Sequence, residues 1–371
     1  MDRSDILLVG CGGCGSTIVD NLMSIDERYE GFFFNTSSTD MNTLKNKEEE
    51  VQNYYVISTQ NGVGRDKTLG RKLADRRSMS MFETLTKFHQ KIIYFVTSFG
   101  GGSGGSIVES ILSTISEMEA NGVSLNKTIN VIGVLPALSS NDKLLSNCTE
   151  TWSKILAAKC VTSTIFICND KRKSEEQINK EFVDLFDSVF DIPVDNGKLF
   201  DAGNLKNVMT TPGCTYIYDL PSDCSSVEVA FNAAKSSSVF ADMYIDQSNT
   251  TFSDSTMKVN CGHVGISFSE SKFDSADILK HFNNSREVYE GINPANRNIV
   301  LLSGMYPPVD YIKKITAELE DRATRRTNTL FSFSDFIVDI PEQEKPAIHH
   351  ETVTNSTVQK STLNLFKRRV K

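Results

Sequence analysis

The chain has 371 residues, of which 39% are hydrophobic, so it can bury a sizeable core, and its length favours two domains with some tail. Its formal net charge of −8 argues against a body that binds nucleic acid or a membrane surface. No run of about 18 apolar residues occurs, and the eight cysteines lack the density of a disulfide scaffold. We therefore expect a soluble cytoplasmic protein with reduced thiols.

The first half of the chain alternates short apolar strands with amphipathic helices. In chain order, the pattern predicts strand 6–9, helix 16–25, strands 31–35 and 54–58, helix 67–89, strand 91–96, helix 107–120, strand 128–135, helix 141–158 and strand 164–168. Helices between short apolar strands predict an α/β fold with a doubly wound, Rossmann-like parallel sheet. Ligands of such sheets bind at the carboxyl ends of the strands.

The second half predicts a different organisation. Ser174 and Gln177 form a capping-box pattern that opens a helix, so we expect a first domain over 1–173 and a central connecting helix over 174–192. A second α+β domain is expected over 193–340, with strands 214–220, 259–269 and 298–303 and helices 227–241, 275–282 and 308–326. The polar stretch 341–371 predicts a flexible tail whose basic end, 367–371, is either solvated or a docking motif.

Two glycine-rich turns directly follow predicted strands. The first contains Gly10, Gly12 and Gly15 in the pattern G-x-G-x-x-G, and the second, residues 100–106, reads GGGSGGS. Such small residues let backbone N–H groups surround a phosphate, and the helix that follows adds its positive amino-terminal end. One pyrophosphate needs one such turn, so two turns favour a longer phosphate chain.

Other kinds of site agree less well with the sequence. A nicotinamide-dependent oxidoreductase, which stays an alternative, usually has an acid at the end of the second strand, where this chain has Asn35. The lysine-containing phosphate loop G-x-x-x-x-G-K-[ST] does not occur. Cys11 and Cys14 form C-x-x-C, but no second pair with metal-ligand spacing follows, so we expect no metal site built from side chains.

The motifs taken together resemble the tubulin/FtsZ superfamily. SFGGGSGG, residues 98–105, looks like the tubulin signature loop GGGTG[ST]G, and GGCGSTI, residues 12–18, resembles the first nucleotide loop. The segments NTSSTD (35–40), NGVGRDKTLG (61–70), GVLP (133–136), ICND (167–170) and INKEF (178–182) follow in the same order. Similarity spans about the first 210 residues and is greatest to the TubZ group of plasmids and phages.

This resemblance implies a GTPase whose subunits stack head to tail into filaments that move plasmid or phage DNA in a bacterial cytoplasm. The implied nucleotide contacts are Gly12, Gly13, Cys14, Asn35, Gly64, Ser98, Gly101, Gly102, Ser103, Gly104, Asp142, Asn169 and Asn179. Asn169 and Asn179 stand at the two guanine-binding positions, where an amide matches guanine because it both donates and accepts hydrogen bonds. Asp142 is the nearest candidate for the ribose contact. In the loop 62–70, Arg65 and Lys67 are either cations for the γ-phosphate or solvated charges.

The resemblance also implies that the next subunit supplies the catalytic acid. Asp201 aligns with the first acid of the family pattern, but Asn204 occupies the place of the second, and an amide does not accept a proton at neutral pH. Either Asp201 acts, or Asp195 after a local shift, or the chain binds GTP in filaments with little hydrolysis. Mg²⁺ is expected on the phosphates, with Asp40 as an outer ligand. The expected partners are further copies of the chain and a DNA-bound adaptor that contacts the tail, with neither nucleic acid nor membrane bound by the body.

Overall fold

The computed structural model describes residues 1–58, 62–192, 200–253, 256–269, 273–283 and 285–329. Contacts group Met1–Arg325 into one compact unit and Arg326–Lys371 into another. The predicted tail, 341–371, lies outside the described residues. Among the described helices, none has the length and apolar character that a membrane crossing requires.

Most described residues belong to regular elements. The strands are β1 (Ile6–Cys11), β2 (Glu30–Asn35), β3 (Tyr54–Val56), β4 (Ile92–Ser98), β5 (Thr128–Leu135), β6 (Val161–Cys168), β7 (Gly213–Asp219), β8 (Thr250–Ser253), β9 (Thr256–Asn260), β10 (His263–Phe268), β11 (Phe282–Asn283), β12 (Glu287–Ile292) and β13 (Ile299–Met305). The helices are α1 (Gly12–Ile25), α2 (Ser38–Met41), α3 (Lys67–Asp75), α4 (Ser78–Thr86), α5 (Gly104–Ala120), α6 (Asp142–Ala157), α7 (Glu175–Ser188), α8 (Ala202–Met209), α9 (Val227–Ser237), α10 (Ser275–Leu279) and α11 (Val309–Thr329). Two 3₁₀ turns cover Arg3–Asp5 and Val189–Asp191.

The described strands form one large sheet and one small sheet. The large sheet has ten strands in the order β12-β10-β13-β7-β6-β5-β4-β1-β2-β3. From β3 to β7 neighbouring strands are parallel, β13 is antiparallel to both β7 and β10, and β12 is parallel to β10. The small sheet has the order β11-β9-β8. The predicted α/β fold is confirmed, and the later strands β7, β10, β12 and β13 extend the same sheet rather than form one of their own.

The central strands are buried on both faces because helices cover the sheet on each side. All six residues of β1 and the first six of β4 are buried, which explains their continuous apolar sequences. The capping box at the start of α7 is present as predicted, with hydrogen bonds in both directions between Ser174 and Gln177. The division of the chain at 173, 192 and 340 stays a prediction.

The predicted helix 67–89 is wrong, because the structure has two helices there. Helix α3 ends at Asp75, α4 begins at Ser78, and the Ser78 hydroxyl donates to the Asp75 carbonyl (3.1 Å) across the break. Both helices pack against α5. Neither glycine nor proline marks the break in the sequence, so the pattern continues through it.

The predicted strand 259–269 is also two strands, β9 and β10, which belong to different sheets. Gly262 lies between them, and a Cβ placed on it would come within 3.0 Å of the Gly304 Cα. This close approach of two backbones turns the chain from one sheet to the other. Strand β12 was not predicted, since charged residues interrupt its sequence and only Tyr289 of its six residues is buried.

Candidate nucleotide-binding site

The two glycine-rich turns are in direct backbone contact. They follow β1 and β4, which pair in parallel up to Cys11 and Thr97. Gly12 has φ +71°, and a Cβ placed on it would lie 2.8 Å from the Gly104 nitrogen. A Cβ on Gly104 would in turn collide with the Cys11 carbonyl oxygen and the Thr97 hydroxyl. The amino ends of α1 and α5 therefore lie side by side, which is an arrangement suited to an anion.

Polar residues after β2 border these turns. The Ser103 and Thr36 hydroxyls share a hydrogen bond of 2.6 Å. Asn35 is buried, and its side-chain oxygen accepts from its own loop, from the backbone N–H groups of Thr36 (2.7 Å) and Ser37 (3.2 Å). The exposed Asp40 reaches the first turn, because its Oδ2 lies 3.5 Å from the position of a Cβ on Gly13. The Asp40 carboxylate thus borders the first glycine turn.

The loop 62–70 packs onto the second glycine turn. A Cβ on Gly102 would lie 2.7 Å from the Arg65 Cα, and one on Gly70 would collide with the Gly102 carbonyl oxygen. Asn147 of α6 joins the two loops, since its Nδ2 donates to the carbonyls of Arg65 (3.2 Å) and Gly100 (3.0 Å). The loop and the turn therefore form one packed unit.

Lys67 is not available to a phosphate. Its side chain is 5% exposed, and its ammonium lies 2.7 Å from the Glu109 carboxylate and 2.7 Å from the Thr151 hydroxyl. Arg71 also contacts Glu109, at 3.1 Å. Both predicted alternatives for Lys67, a cation for the γ-phosphate and a solvated charge, are wrong, because its ammonium group is buried and paired with the Glu109 carboxylate. Arg65 is exposed, with φ +65°.

The remaining predicted phosphate contacts lie around these loops. Gly64 has φ +56° and no atom within 4 Å of a Cβ placed on it, so it faces open space. Ser98 ends β4, and a Cβ on Gly101 would make only ordinary contacts with it, at 3.6 Å. Burial, assisted by the negative charge of Glu175, raises the pKa of the Cys14 thiol to about 12, so this thiol stays protonated and neutral.

Asn169 and Asn179 each carry a buried side-chain oxygen with no hydrogen-bond partner among the described residues. Asn169 directly follows β6, and Asn179 lies in the first half of α7. An unpaired buried acceptor costs about 1–3 kcal/mol and requires an explanation. Helix α7 packs against α1, whose amino end forms the first glycine turn. An N–H donor of a bound ligand would satisfy such an oxygen.

Helix α11 holds the loop that follows β5. Arg322 donates to the carbonyls of Leu138 (2.6 Å) and Ser140 (2.6 Å) and forms an ion pair with Asp142 (3.1 Å). The Tyr311 hydroxyl donates to the Pro136 carbonyl (2.8 Å). Asp142, the predicted ribose ligand, thus lies at the start of α6 against a guanidinium group.

Asp201 and Asn204 belong to a helix near the amino ends of the strands, whereas the glycine turns follow the carboxyl ends of β1 and β4. The Met209 carbonyl, at the end of α8, accepts hydrogen bonds from Tyr94 (3.2 Å) and Ser163 (3.3 Å), which both lie near the amino ends of their strands. Strand β4 has seven residues and spans roughly 20 Å, so it separates α8 from the turns. Within one molecule these two residues therefore do not reach the glycine turns.

Asp201 has a second role that the sequence did not indicate. It is the N-cap of α8, and its Oδ1 accepts from the Asn204 backbone N–H at 2.8 Å. Asp195, the alternative acid, lies outside the described residues.

Four residues that shape the site were not singled out from the sequence: Thr36, Glu109, Asn147 and Thr151. Asn147 and Thr151 stand four residues apart on the buried face of α6, between apolar residues. Polar side chains on a buried helix face require partners, so this spacing is a usable signal. Over the described ranges, no group of three or more His, Cys, Asp or Glu side chains is arranged to hold a metal ion.

Comparison with known proteins gives the same result as the motifs. Residues 5–174 match the model of the Tubulin/FtsZ family, GTPase domain. The chain is 24% identical over 343 residues to the tubulin-like protein TubZ of Clostridium botulinum C phage, which covers 91% of this chain and 89% of that relative.

Two solved structures show the same fold. The tail-truncated TubZ of Clostridium botulinum phage c-st superimposes with a TM-score of 0.76 at 24% identity, over 87% of this chain and 99% of that one. A GTPγS-form protofilament of TubZ from Bacillus thuringiensis serovar israelensis gives a TM-score of 0.68 at 16% identity, over 88% and 93% of the two chains. The predicted resemblance is confirmed: residues 5–174 match the model of the tubulin/FtsZ GTPase domain, and the fold is that of the TubZ structures.

Proposed function

We propose that this protein binds GTP and GDP at the two glycine turns and reads guanine with Asn169 and Asn179. The observations that carry the proposal are the buried, unpartnered side-chain oxygens of Asn169 and Asn179 and the contact between the two glycine turns. Guanine presents N1–H and an N2 amino group, which are the donors that two such acceptors require. The TubZ protofilament from Bacillus thuringiensis, which has the same fold, is described with GTPγS.

Nucleotide identity is the first test of this proposal. The purified protein is denatured and the released nucleotide is identified by chromatography, and we expect guanine nucleotides. Asn169→Ala and Asn179→Ala should each weaken GTP binding at least tenfold, whereas Asn232→Ala, on the exposed face of α9, should not. Release of a nicotinamide nucleotide would support the oxidoreductase alternative instead.

The second part of the proposal is head-to-tail assembly, in which α8 of one copy meets the nucleotide of the next. It is supported by the position of Asp201 and Asn204, roughly one strand length from the glycine turns of their own copy. A head-to-tail contact joins different surfaces, so it extends into a filament instead of closing. Light scattering should rise when GTP is added and not when GDP is added. Absence of polymer with GTP at every magnesium and salt concentration would contradict assembly.

The third part is hydrolysis, with water oriented beside the γ-phosphate by a group on α8. The competing function is a filament that binds GTP with little turnover, and Asn204 in the position of the acid favours it. Phosphate release at the background rate during assembly would select the second function. Asn204→Asp should then raise turnover, while Asp201→Ser, which keeps a helix cap, should change it little.

Mg²⁺ is proposed to bind mainly to the phosphates and water, with the Asp40 carboxylate beside Gly13 as the protein oxygen nearest to it. When bound, the metal offsets phosphate charge. Asp40 receives a weak hydrogen bond from Asn35 Nδ2 (3.4 Å), which orients it toward the first turn.

We further propose that the filament moves plasmid or phage DNA in a bacterial cytoplasm through an adaptor bound to the tail. The body carries a net negative charge, so the basic residues 367–371 are the expected contact. Removing the residues after Phe366 should weaken adaptor binding and leave nucleotide affinity unchanged. Unchanged adaptor binding would contradict this part.

A further inference from the structure

Arg3 is a buried arginine that binds three carboxylates. Its side chain is 4% exposed, its Nε lies 2.7 Å from Asp187 Oδ1 and 3.5 Å from Asp26 Oδ2, and its Nη2 lies 2.9 Å from Asp191 Oδ1. Nη2 also donates to the Asp187 backbone carbonyl at 3.0 Å. A guanidinium group suits this place because its planar fork donates in several directions at once.

These carboxylates mark the carboxyl ends of two helices that begin at the candidate site. Asp26 is the C-cap of α1, Asp187 belongs to the last turn of α7, and Asp191 ends the 3₁₀ turn that follows. The amino end of α1 forms the first glycine turn, and α7 carries Asn179. A cation between two helix carboxyl ends is favoured by both helix dipoles. Arg3 thus joins the far ends of the two helices that meet the nucleotide.

Two aromatic rings enclose the guanidinium group. The Cζ of Arg3 lies 5.9 Å from the Tyr29 ring centre and 5.7 Å from that of Phe190. The Tyr29 hydroxyl donates to the same Asp187 carboxylate oxygen at 2.8 Å. Lysine would keep the charge but would lose the fork and much of the stacking.

The residues just before Arg3 extend this contact to α8. The Met1 side chain is buried, and the Met1 nitrogen donates to the carbonyl of Ala202, the first residue of α8. Asp201, the N-cap of α8, directly precedes it. Residues 1–3 therefore bridge the carboxyl end of α7 and the helix that carries Asp201 and Asn204.

We propose that Arg3 is a positioning residue that holds the carboxyl ends of α1 and α7 and so fixes how α8 is presented to the nucleotide of the next copy. The role rests on the proposed assembly and hydrolysis. Arg3 lies at the carboxyl ends of these helices, whereas the first glycine turn lies at the amino end of α1. Arg3 acts through α8 of its own copy. Its loss should therefore impair hydrolysis at the neighbouring copy's nucleotide and leave nucleotide binding by its own copy unchanged.

The test compares Arg3→Lys and Arg3→Gln with Arg76→Lys, a control whose exposed side chain lies at the C-cap of α3 and away from these carboxylates. Far-ultraviolet circular dichroism first establishes that each variant is folded. We expect GTP affinity within twofold of wild type for all three. The critical concentration for assembly should rise, and the maximal rate of phosphate release should fall, at least tenfold for Arg3→Gln and less for Arg3→Lys. The GTP concentration at half-maximal rate should stay unchanged.

A mixing experiment separates positioning from general damage. Arg3→Gln is mixed with the double variant Asn169→Ala/Asn179→Ala, which should not bind guanine and whose α8 is unchanged. Phosphate release should recover, because the nucleotide of the Arg3→Gln copy then meets a wild-type α8. No recovery, a parallel loss of GTP affinity, or rates equal to wild type would each overturn the role of Arg3. If wild-type protein itself shows no GTP-dependent assembly, the proposed function fails and this role fails with it.

Discussion

Lys67 offers the sharpest test of how the loop 62–70 is held. Its ammonium group is buried between Glu109 and Thr151, and Glu150 lies farther away at 3.5 Å with a half-exposed side chain. Lys67→Met keeps most of the side-chain volume and removes the charge. The Glu109 carboxylate then stays buried with Arg71 as its remaining cation.

Removing one partner of a buried ion pair costs about 3–5 kcal/mol, because the other charge stays uncompensated. Arg71 retains its contact with Glu109, so we expect the lower end of this range, about 3 kcal/mol of unfolding free energy. Replacing both Lys67 and Glu109 leaves neither charge of this pair buried without the other. Lys67→Met/Glu109→Met should therefore be about 2 kcal/mol more stable than Lys67→Met alone.

Urea denaturation of the nucleotide-free protein measures these differences. Lys72→Met is the matched control, since Lys72 is exposed on the same helix and should change stability by less than about 0.5 kcal/mol. The reasoning is refuted if Lys67→Met costs no more than Lys72→Met, or if the double variant is no more stable than Lys67→Met alone.

Three further outcomes follow from the structure. Gly104→Ala should lower nucleotide retention at least tenfold, because its Cβ collides with Cys11 and Thr97, and full retention would contradict the backbone contact. Asp201→Ala should cost about 1 kcal/mol of unfolding free energy and Asp201→Ser much less, since serine also caps α8; equal losses in urea denaturation would disprove the cap. Burial lowers the pKa of His263 below its usual 6.5, so the unfolded chain binds this proton more readily. Stability should fall as the pH drops through about 6.5, and thermal melts of His263→Gln should show a weaker pH dependence, whereas an unchanged profile would refute this.

The fold was predictable where burial is continuous. Strands such as β1 and β4 are apolar throughout because both faces are covered, and β5 has the predicted bounds. The break between α3 and α4 was not predictable, because it depends on both helices packing on α5. Strand β12 was not predicted because it lies at the edge of the sheet, where its exposed positions carry charged residues instead of a continuous apolar sequence.

The sequence alone singles out the glycines and asparagines of the candidate site, whereas it does not indicate the residues that support them. A glycine indicates by itself that two backbones can approach closely. Gly12 and Gly104 make such a contact, because neither has a side chain to prevent it. Asn147 and Glu109 act through residues that are distant in sequence, so only the folded chain reveals them. The sequence predicts that a charged residue such as Lys67, at the start of α3, is solvated or binds a ligand, and only the folded chain shows that it is buried.

The supports also limit which part of the loop 62–70 could respond to the third phosphate of the proposed ligand. Residues 65–70 are fixed to the second glycine turn, because Asn147 holds the Arg65 carbonyl and Gly70 packs against Gly102. Gly62 and Gly64 have positive φ, and Gly64 has open space around it. A conformational response to GTP across the whole loop would break several of the packed contacts, whereas a response limited to 62–64 would break none of them. We therefore expect GTP to change amide hydrogen exchange at 62–64, where Gly64 is exposed, and not at 66–70.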